Sequence, residues 1–382
     1  MLRPRQLATA TLSLLLTVHS LKAQPTTAAT RPMRPVNVIF DTDIWSDIDD
    51  MLALAMLNTL QDRHEVNLLA VTISTDDPWC ATYVDLVDTF YGHSQIPIGI
   101  VHDGIGLKEF RKKFPQVTWP VTRYTQLVSQ QKNSDGSPTY QHQLTDGTKA
   151  QDAVSLLRKT LAAQPDSSVV VIMVGYSTNL ARLLATPPDA ASALDGRELV
   201  RRKVRFMSVM AGNFRETQQG GKTVPAGQSE FNLWVDVPSA QKVFSTWPTP
   251  IFDSGFEIGL AMEYPGRDIE RDYSYVPHHP IADTYRTYCE EMKGADTTIK
   301  RCPTDHDHAT FDLTSVLYAA RPDRKYFSLS KPGTITVLDD GGSHFEESPT
   351  GAHRYLVLDE AQKARTLETM EMLASQPPRV HP

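Results

Sequence analysis

Residues 36–54 decide the fold, and they read Val-Asn-Val-Ile-Phe-Asp-Thr-Asp-Ile-Trp-Ser-Asp-Ile-Asp-Asp-Met-Leu-Ala-Leu. The part from 36 to 40 is largely apolar and too short for a helix, which is typical of a strand buried on both faces. Helical periodicity begins at Asp49 and continues to Leu60. A buried strand that leads directly into a helix predicts the opening unit of a parallel α/β sheet.

The same alternation continues along the chain. Further strands are predicted at 68–74, 169–174, 204–210 and 250–252, and helices at 79–91, 150–163 and 178–185. We therefore predict one α/β domain over residues 36–378, with a mostly parallel open sheet and helices on both faces, as in Rossmann-like proteins. Near the end, residues 333–338 and 353–358 are predicted to form a β-hairpin around the Asp-Asp-Gly-Gly segment at 339–342.

The N-terminus has the pattern of a secretory signal peptide. Arg3 and Arg5 precede an apolar stretch, and the small residue Ala23 follows a short polar segment. We predict a signal peptide over 1–23 and a flexible lead-in over 24–35, which is rich in Thr, Ala and Pro. The protein is therefore expected to be secreted or periplasmic.

Composition narrows the class of function. The chain has 382 residues, of which 22% are charged and 40% hydrophobic, as in ordinary folded proteins. The net charge of −7 argues against a nucleic-acid surface. No apolar run of about 18 residues follows the N-terminal segment, so no membrane span is expected. Three cysteines cannot form a disulfide scaffold, although Cys289 and Cys302 could pair in an oxidising compartment.

Five of the ten residues from Asp41 to Asp50 are aspartates. They lie where the first strand ends, which is where open α/β sheets bind ligands. Carboxylates so close together repel one another unless a cation lies between them, and an all-oxygen donor set predicts Ca²⁺ or Mg²⁺. The alternative is a capped helix behind a solvated acidic loop. An EF-hand is excluded, because Ser46 and Leu52 occupy the positions of its Gly and Glu. A phosphatase of the haloacid dehalogenase type shares the Asp-x-Asp pattern and stays a minor alternative.

The stretch Val38–Leu54 resembles the N-terminal signature of the inosine–uridine-preferring nucleoside hydrolases, in a longer variant that adds Asp47. Three further segments resemble later motifs of that family, in the same order. They are Val174–Leu180, the block Ser229-Glu230-Phe231-Asn232 with Asp236, Pro238 and Ala240, and Phe311-Asp312 with the helix that follows. The resemblance covers roughly residues 36–320 and implies the fold of that family.

The resemblance also implies a reaction. It implies hydrolysis of the N-glycosidic bond of ribonucleosides to ribose and free base, by a water bound to Ca²⁺, with Asp43 as the general base. Asp43 would also be a metal ligand, together with Asp50, Asp312 and the backbone carbonyl of Val174. A positioned general base typically contributes ~10²–10⁴-fold to the rate.

The same resemblance implies which groups bind the sugar. Asp49, Glu230 and Asn232 match positions that hold the ribose hydroxyls, and carboxylates suit this role because hydroxyls donate to them. Asp47, in the longer motif, and Asp77, after the second predicted strand, are further candidates for substrate binding.

One departure from the family pattern concerns the leaving group. Phe311 stands where the family has a histidine before the late aspartate. His308 or His306 could instead donate a proton to the departing base, although both could equally be exposed loop histidines. Two alternatives follow: a calcium-dependent protein that binds ribose or nucleosides without turnover, or a hydrolase of another N-ribosyl compound. Proteins of this fold often associate, so a homo-oligomer is a further expectation.

Overall fold

The alternation of strands and helices in the sequence is present in the computed structural model, which describes residues 34–45, 47–118, 121–295, 304 and 307–379. The strands are β1 Val36–Thr42, β2 Val66–Thr75, β3 Ile98–Ile105, β4 Gln151–Asp152, β5 Val169–Met173, β6 Val204–Met210, β7 Thr217–Gln219, β8 Lys222–Val224, β9 Ile251–Ser254, β10 Glu263–Tyr264, β11 His308–Ala309, β12 Ser328–Leu329, β13 Gly333–Val337, β14 Ser343–Glu347 and β15 His353–Val357. The helices are α1 Asp49–Asp62, α2 Pro78–Phe90, α3 Leu107–Lys113, α4 Tyr124–Ser129, α5 Ala153–Ala162, α6 Thr178–Leu184, α7 Gly196–Lys203, α8 Phe231–Val235, α9 Val237–Thr246, α10 Phe256–Ala261, α11 Gly266–Asp272, α12 Pro280–Ala295, α13 Asp312–Ala320 and α14 Glu360–Ala374.

The main sheet is mostly parallel, as predicted. Its strands lie in the order β14-β13-β15-β9-β6-β5-β1-β2-β3-β4. Strand β1 is central and pairs in parallel with β2 on one side and with β5 on the other. The parallel pairing continues through β6, β9 and β15 in one direction and through β3 and β4 in the other. The carboxyl ends of these strands therefore meet at one edge of the sheet.

Both faces of the sheet are buried. Along β1, Val38 and Phe40 pack into a core that contains α1, α2 and α13, whereas Ile39 packs into a second core that contains α5, α6 and α9. Successive side chains of a strand point to opposite faces, so one apolar run contributes to both cores. This is why Val38, Ile39 and Phe40 of β1 are apolar in succession rather than alternating with polar residues.

The end of the chain differs from the predicted hairpin. Strand β13 pairs antiparallel with β14, which is the segment directly after the Asp-Asp-Gly-Gly turn. Strand β15, the predicted partner, pairs in parallel with β9, and its backbone ladder with β13 is limited to the pair Gly333 and His353. The sequence signal was weak because β14 is a mostly exposed edge strand, Ser-His-Phe-Glu-Glu, with little apolar character. Strand β3 was not predicted either, since Gly99, His102, Asp103 and Gly104 interrupt its apolar run.

Several sequence predictions concern residues outside the described ranges. The signal peptide over 1–23 and most of the lead-in lie there, and the residues from Arg34 onward belong to one compact unit. Cys302 also lies there, so its pairing with Cys289 stays a prediction. Among the described helices, none combines the length and the apolar character that crossing a bilayer requires. Self-association also stays a prediction, because the structure describes one chain.

A glycine brings two strand ends together at the carboxyl edge. Gly175 follows β5, and a Cβ atom there would lie 2.4 Å from the backbone nitrogen of Asp43 and 2.6 Å from Ser74 Oγ. Real side chains do not tolerate such distances, so the close approach of the two segments requires a residue without Cβ. This contact sets the position of Asp43 relative to Val174.

Candidate functional site

A large cavity opens at the carboxyl ends of β1, β5 and β6. Its volume is about 1030 Å³. The polar residues that line it include Asp43, Asp47, Asp49, Asp50, Asn213, Glu230, Asn232, Asp307, His308 and Asp312, and the apolar ones include Val174, Met210, Phe231, Trp234, Phe256, Tyr288 and Phe311. The location agrees with the rule that open α/β sheets bind ligands beyond the carboxyl ends of their strands.

The structure gathers most of the predicted site residues around this cavity. They come from the β1–α1 segment, the end of β5, helix α8, strand β11 and the start of α13, and they are Asp43, Asp47, Asp49, Asp50, Val174, Glu230, Asn232, His308 and Asp312. Asp77 is not among them. Its Oδ1 accepts a hydrogen bond from the Trp79 N–H at 3.0 Å and so caps helix α2. His306 lies outside the described residues.

Three carboxylates form a compact group at the cavity wall. One oxygen each of Asp49, Asp50 and Asp312 lies within 4.8 Å of the others, and all three side chains are buried. Asp49 and Asp50 belong to the first turn of α1, and Asp312 begins α13. Asp49 Oδ2 joins the two helices, because it accepts the N–H groups of Phe311 at 2.6 Å and Asp312 at 3.1 Å. The all-oxygen donor set fits a hard divalent cation.

Burial and mutual repulsion disfavour the ionised form of these groups. Burial, followed by the charges of Asp50 and Asp49, raises the pKa of Asp43 well above its ordinary value. Burial and the charge of Asp49 do the same for Asp312. Burial raises the pKa of Asp50 to about 6, although Asp50 accepts hydrogen bonds from Thr42 Oγ1 and from the Ile44 N–H. A bound cation would allow all of them to ionise at neutral pH.

The compact group differs in one member from the predicted ligand set. The prediction combined Asp43 with Asp50 and Asp312, whereas the closest oxygens are those of Asp49, Asp50 and Asp312. Asp43 lines the same cavity and is 6% exposed. Its backbone carbonyl accepts a hydrogen bond from Thr75 Oγ1 at 2.8 Å, which holds the residue at the end of β1.

Glu230 and Asn232 are held firmly at the cavity wall. Glu230 caps α8 and accepts the N–H groups of Asn232, Leu233 and Gly212 at 2.9, 3.2 and 3.1 Å. Burial nevertheless raises the pKa of Glu230 to about 7. The Asn232 amide donates to the carbonyl of Val174 at 2.8 Å, the carbonyl predicted as a metal ligand. A carbonyl has two lone pairs, so this contact leaves one for a cation.

Phe311 and His308 occupy different places beside the acidic cluster. The Phe311 ring stacks on Phe256, with ring centroids 5.4 Å apart and an interplanar angle of 20°. Gly259 allows this packing, since a Cβ atom there would lie 2.2 Å from Phe311 Cδ1. His308 lies in β11, and its Nε2 is 3.1 Å from Asp47 Oδ1. The imidazole therefore reaches the cavity, while the Phe311 ring has no proton to give.

Asn213 is a cavity residue that the sequence analysis did not select. It is 1% exposed, and its amide donates to the carbonyl of Pro225 at 2.8 Å. Its Oδ1 is buried and has no hydrogen-bond partner among the described residues. The dipeptide Gly212-Asn213 directly after an apolar strand was the signal that could have identified it.

A comparison of the sequence with models of protein families agrees with the geometry of the acidic cluster. The model of the family described as inosine-uridine preferring nucleoside hydrolase matches residues 38–371. The chain belongs to this family. Members of the nucleoside hydrolase family are metal-dependent enzymes that act on small-molecule nucleosides, so this protein is assigned as a hydrolase. A comparison with curated proteins finds no match.

Solved structures share the nucleoside hydrolase fold with this chain. A plant nucleoside hydrolase is 17% identical, with a TM-score of 0.61, and the match covers 90% of this chain and 100% of that one. A purine-preferring ribonucleoside hydrolase from Gardnerella vaginalis is 16% identical, with a TM-score of 0.62 and coverage of 89% and 98%. The type III effector protein XopQ, complexed with adenosine diphosphate ribose, is 15% identical, with a TM-score of 0.59 and coverage of 91% and 95%. At these identities the likeness shows the fold alone.

Proposed function

We propose that this nucleoside hydrolase cleaves the N-glycosidic bond of ribonucleosides, with Ca²⁺ as its metal and Asp43 as the general base. The observation that carries the proposal is the buried group of Asp49, Asp50 and Asp312 at the wall of a ligand-sized cavity. A solvated acidic loop would not bury three carboxylates against one another, because each loses hydration without gaining a counter-charge.

The residues present fit a calcium ion. Asp50 and Asp312 supply carboxylate oxygens, Val174 supplies a carbonyl that lines the cavity, and Asp43 and Asp49 lie beside them. Calcium accepts six to eight oxygen ligands in flexible geometry, which suits a mixture of carboxylates and a carbonyl. When bound, the ion would lower the pKa of a coordinated water and keep the carboxylates ionised.

Asp43 is the proposed base because it faces the cavity beside the metal group. In hydrolysis the water oxygen forms a bond to the anomeric carbon of the ribose, and Asp43 accepts the proton that the water loses. Burial and the charges of Asp50 and Asp49 raise the pKa of Asp43. A carboxylate with a raised pKa holds an accepted proton more strongly, which suits a general base. A base placed in this way is expected to contribute ~10²–10⁴-fold to the rate.

The sugar is proposed to bind against the same wall. Asp49, Glu230 and Asn232 border the cavity next to the metal group, and their oxygens can accept from ribose hydroxyls. Glu230 already accepts three backbone N–H groups, so its carboxylate is fixed in orientation before substrate arrives. Such preorganisation lowers the cost of orienting the sugar.

His308 is the proposed acid for the leaving base. As the N-glycosidic bond breaks, its electrons go to the base nitrogen, which needs a proton to leave readily. Among the described residues that line the cavity, His308 alone carries an imidazole. Histidine is the side chain best suited to donate a proton near neutrality.

A second candidate is hydrolysis of a larger N-ribosyl compound. The cavity volume of about 1030 Å³ lies just above the roughly 300–1,000 Å³ that small-molecule sites occupy, and a nucleoside fills only part of it. The structural neighbour XopQ, which was solved with adenosine diphosphate ribose, shares the fold. This observation favours including N-ribosyl dinucleotides among the substrates tested.

The test is an assay of released reducing sugar. The mature chain from Gln24 onward, proposed to act outside the cytoplasm, is incubated with purine and pyrimidine nucleosides and with an N-ribosyl dinucleotide. Each reaction is run after treatment with a chelator, and again after adding Ca²⁺ or Mg²⁺. We expect hydrolysis that chelation abolishes and that Ca²⁺ restores better than Mg²⁺. Calcium binding without release of sugar from any compound would instead identify a non-catalytic binding protein.

A further inference from the structure

We propose that Asp47 is a positioning residue that orients His308 for proton donation to the leaving base. This inference rests on the proposed function, and it places a carboxylate–imidazole pair beside the metal group. The two side chains are 261 positions apart in the sequence, and the fold brings Asp47 Oδ1 to 3.1 Å from His308 Nε2. Both residues line the cavity.

Asp47 is itself held in place from two directions. Its Oδ1 also accepts the N–H of Ile48 at 2.7 Å, which orients the carboxylate. Its backbone carbonyl accepts the hydroxyl of Tyr124 at 2.8 Å, and Tyr124 is fully buried. The carboxylate therefore meets the imidazole from a fixed position rather than from the end of a mobile loop.

His308 is anchored through its backbone. In strand β11 it is paired with Tyr264 of β10. The next-but-one residue, Thr310, donates both its N–H and its Oγ1 hydroxyl to the carbonyl of Met262, at 2.8 and 2.9 Å. Since Nε2 contacts Asp47, Nδ1 is the ring nitrogen from which a proton can pass to the base. This assignment follows the logic by which a carboxylate orients a catalytic imidazole through its other nitrogen.

The surroundings of His308 favour its protonated form. Burial lowers the pKa of His308, but the hydrogen bond and charge of Asp47 outweigh it, and the charges of Asp49 and Glu263 add to the increase. The pair is thus a charge-assisted contact in which the histidine is ready to act as an acid.

The test compares two leaving groups in Asp47→Asn, Asp47→Glu and His308→Gln. A nucleoside base needs a proton to leave, whereas 4-nitrophenolate, released from 4-nitrophenyl β-D-ribofuranoside, is stable as an anion. We expect Asp47→Asn to lower kcat on the nucleoside by about 10–100-fold, with a much smaller effect on the aryl riboside and on KM. The alkaline limb of the pH profile should move to lower pH. Asp47→Glu should restore part of the loss.

A second measurement does not depend on turnover. The imidazole pKa of His308, followed by NMR in the calcium-loaded protein, should fall in Asp47→Asn. His93→Gln is the matched control, because it removes another histidine–aspartate contact, of 2.9 Å to Asp62, outside the cavity lining. An unchanged His308 pKa, or equal losses on both substrates, would overturn the proposal and point to a sugar-binding role for Asp47. If the wild-type protein cleaves neither substrate, the proposed function fails, and the NMR result still decides whether Asp47 controls His308.

Discussion

At the scale of single residues, the acidic motif combines two kinds of aspartate. Asp41 lies beneath the site, where its Oδ2 accepts Thr72 Oγ1 at 2.5 Å and Asn179 Nδ2 at 2.9 Å. Asp43, two residues later, faces the cavity. Alternate residues of a strand point to the same side of the sheet. Strand β1 ends at Thr42, however, so Asp43 lies beyond the strand and its side chain does not have to follow that of Asp41.

Replacement of Asp43 by Asn tests its role as the base. We expect kcat to fall by ~10²–10⁴-fold at saturating Ca²⁺, because the amide cannot accept the proton of the attacking water. In the calcium-free protein the melting temperature should not decrease, since the substitution removes a like charge from a crowded buried group. Steady-state kinetics and thermal denaturation measure the two effects. The exposed Asp323→Asn serves as the control, and a loss of less than about tenfold would assign the base to another residue.

The residue types of the site were largely predictable, but their partners were not. Asp50, Glu230 and Asn232 could be selected because they recur in motifs of known order. Asp77 could not be judged in the same way: an aspartate before a Pro-Trp helix start is equally a helix cap, and the structure shows the cap. The contact between Asp47 and His308 was beyond the sequence, because nothing in the spacing of 261 residues specifies it.

At the scale of elements, the site depends on how closely β5 approaches β1. We expect Gly175→Ala to destabilise the protein by about 1–3 kcal/mol, because the added methyl would overlap the Asp43 backbone and Ser74 Oγ. Activity should fall as well, since Asp43 and Val174 move apart. Chemical denaturation and kcat measure both. Gly294→Ala is the control: its Cβ would meet no atom within 4 Å, and in helix α12 it should be neutral or slightly stabilising.

The edge of the sheet shows where element prediction fails. The core strands β1, β5 and β6 were predicted because burial on both faces makes them largely apolar. Strand β14 is mostly exposed and polar, so its sequence carries no such signal. The sequence analysis therefore placed β15 in the hairpin position that β14 occupies. The structure instead gives β15 to β9 as a parallel partner, and it thereby extends the main sheet.

At the scale of the whole molecule, pH and calcium should be linked through the buried carboxyl groups. Burial raises the pKa of Asp50 to about 6 and those of Glu230 and Asp41 to about 7, from ordinary values of 3.8 for Asp and 4.5 for Glu. At pH values between the ordinary and the raised pKa values, the folded, calcium-free protein binds more protons than the unfolded chain. Its free energy of unfolding therefore falls as pH rises from about 4 to about 7.

Calcium should reverse this trend, because it replaces protons on the metal group. We expect the increase in melting temperature caused by Ca²⁺ to be larger at about pH 8 than at about pH 5, and to be weakened in Asp312→Asn. Thermal denaturation with chelator and with Ca²⁺, at both pH values, measures the difference. An increase that is equal at both pH values would show that the raised pKa values do not belong to the metal group.

The sequence by itself determined the α/β class, the central strands, the acidic motif and the membership of the family, because these features are local patterns of apolar residues and carboxylates. Only the tertiary structure decided that Asp49 joins Asp50 and Asp312, that Asp77 is a cap, and that Asp47 meets His308. Such contacts depend on where helices α1 and α13 and strand β11 come together. Packing sets these positions, and no spacing along the chain encodes them.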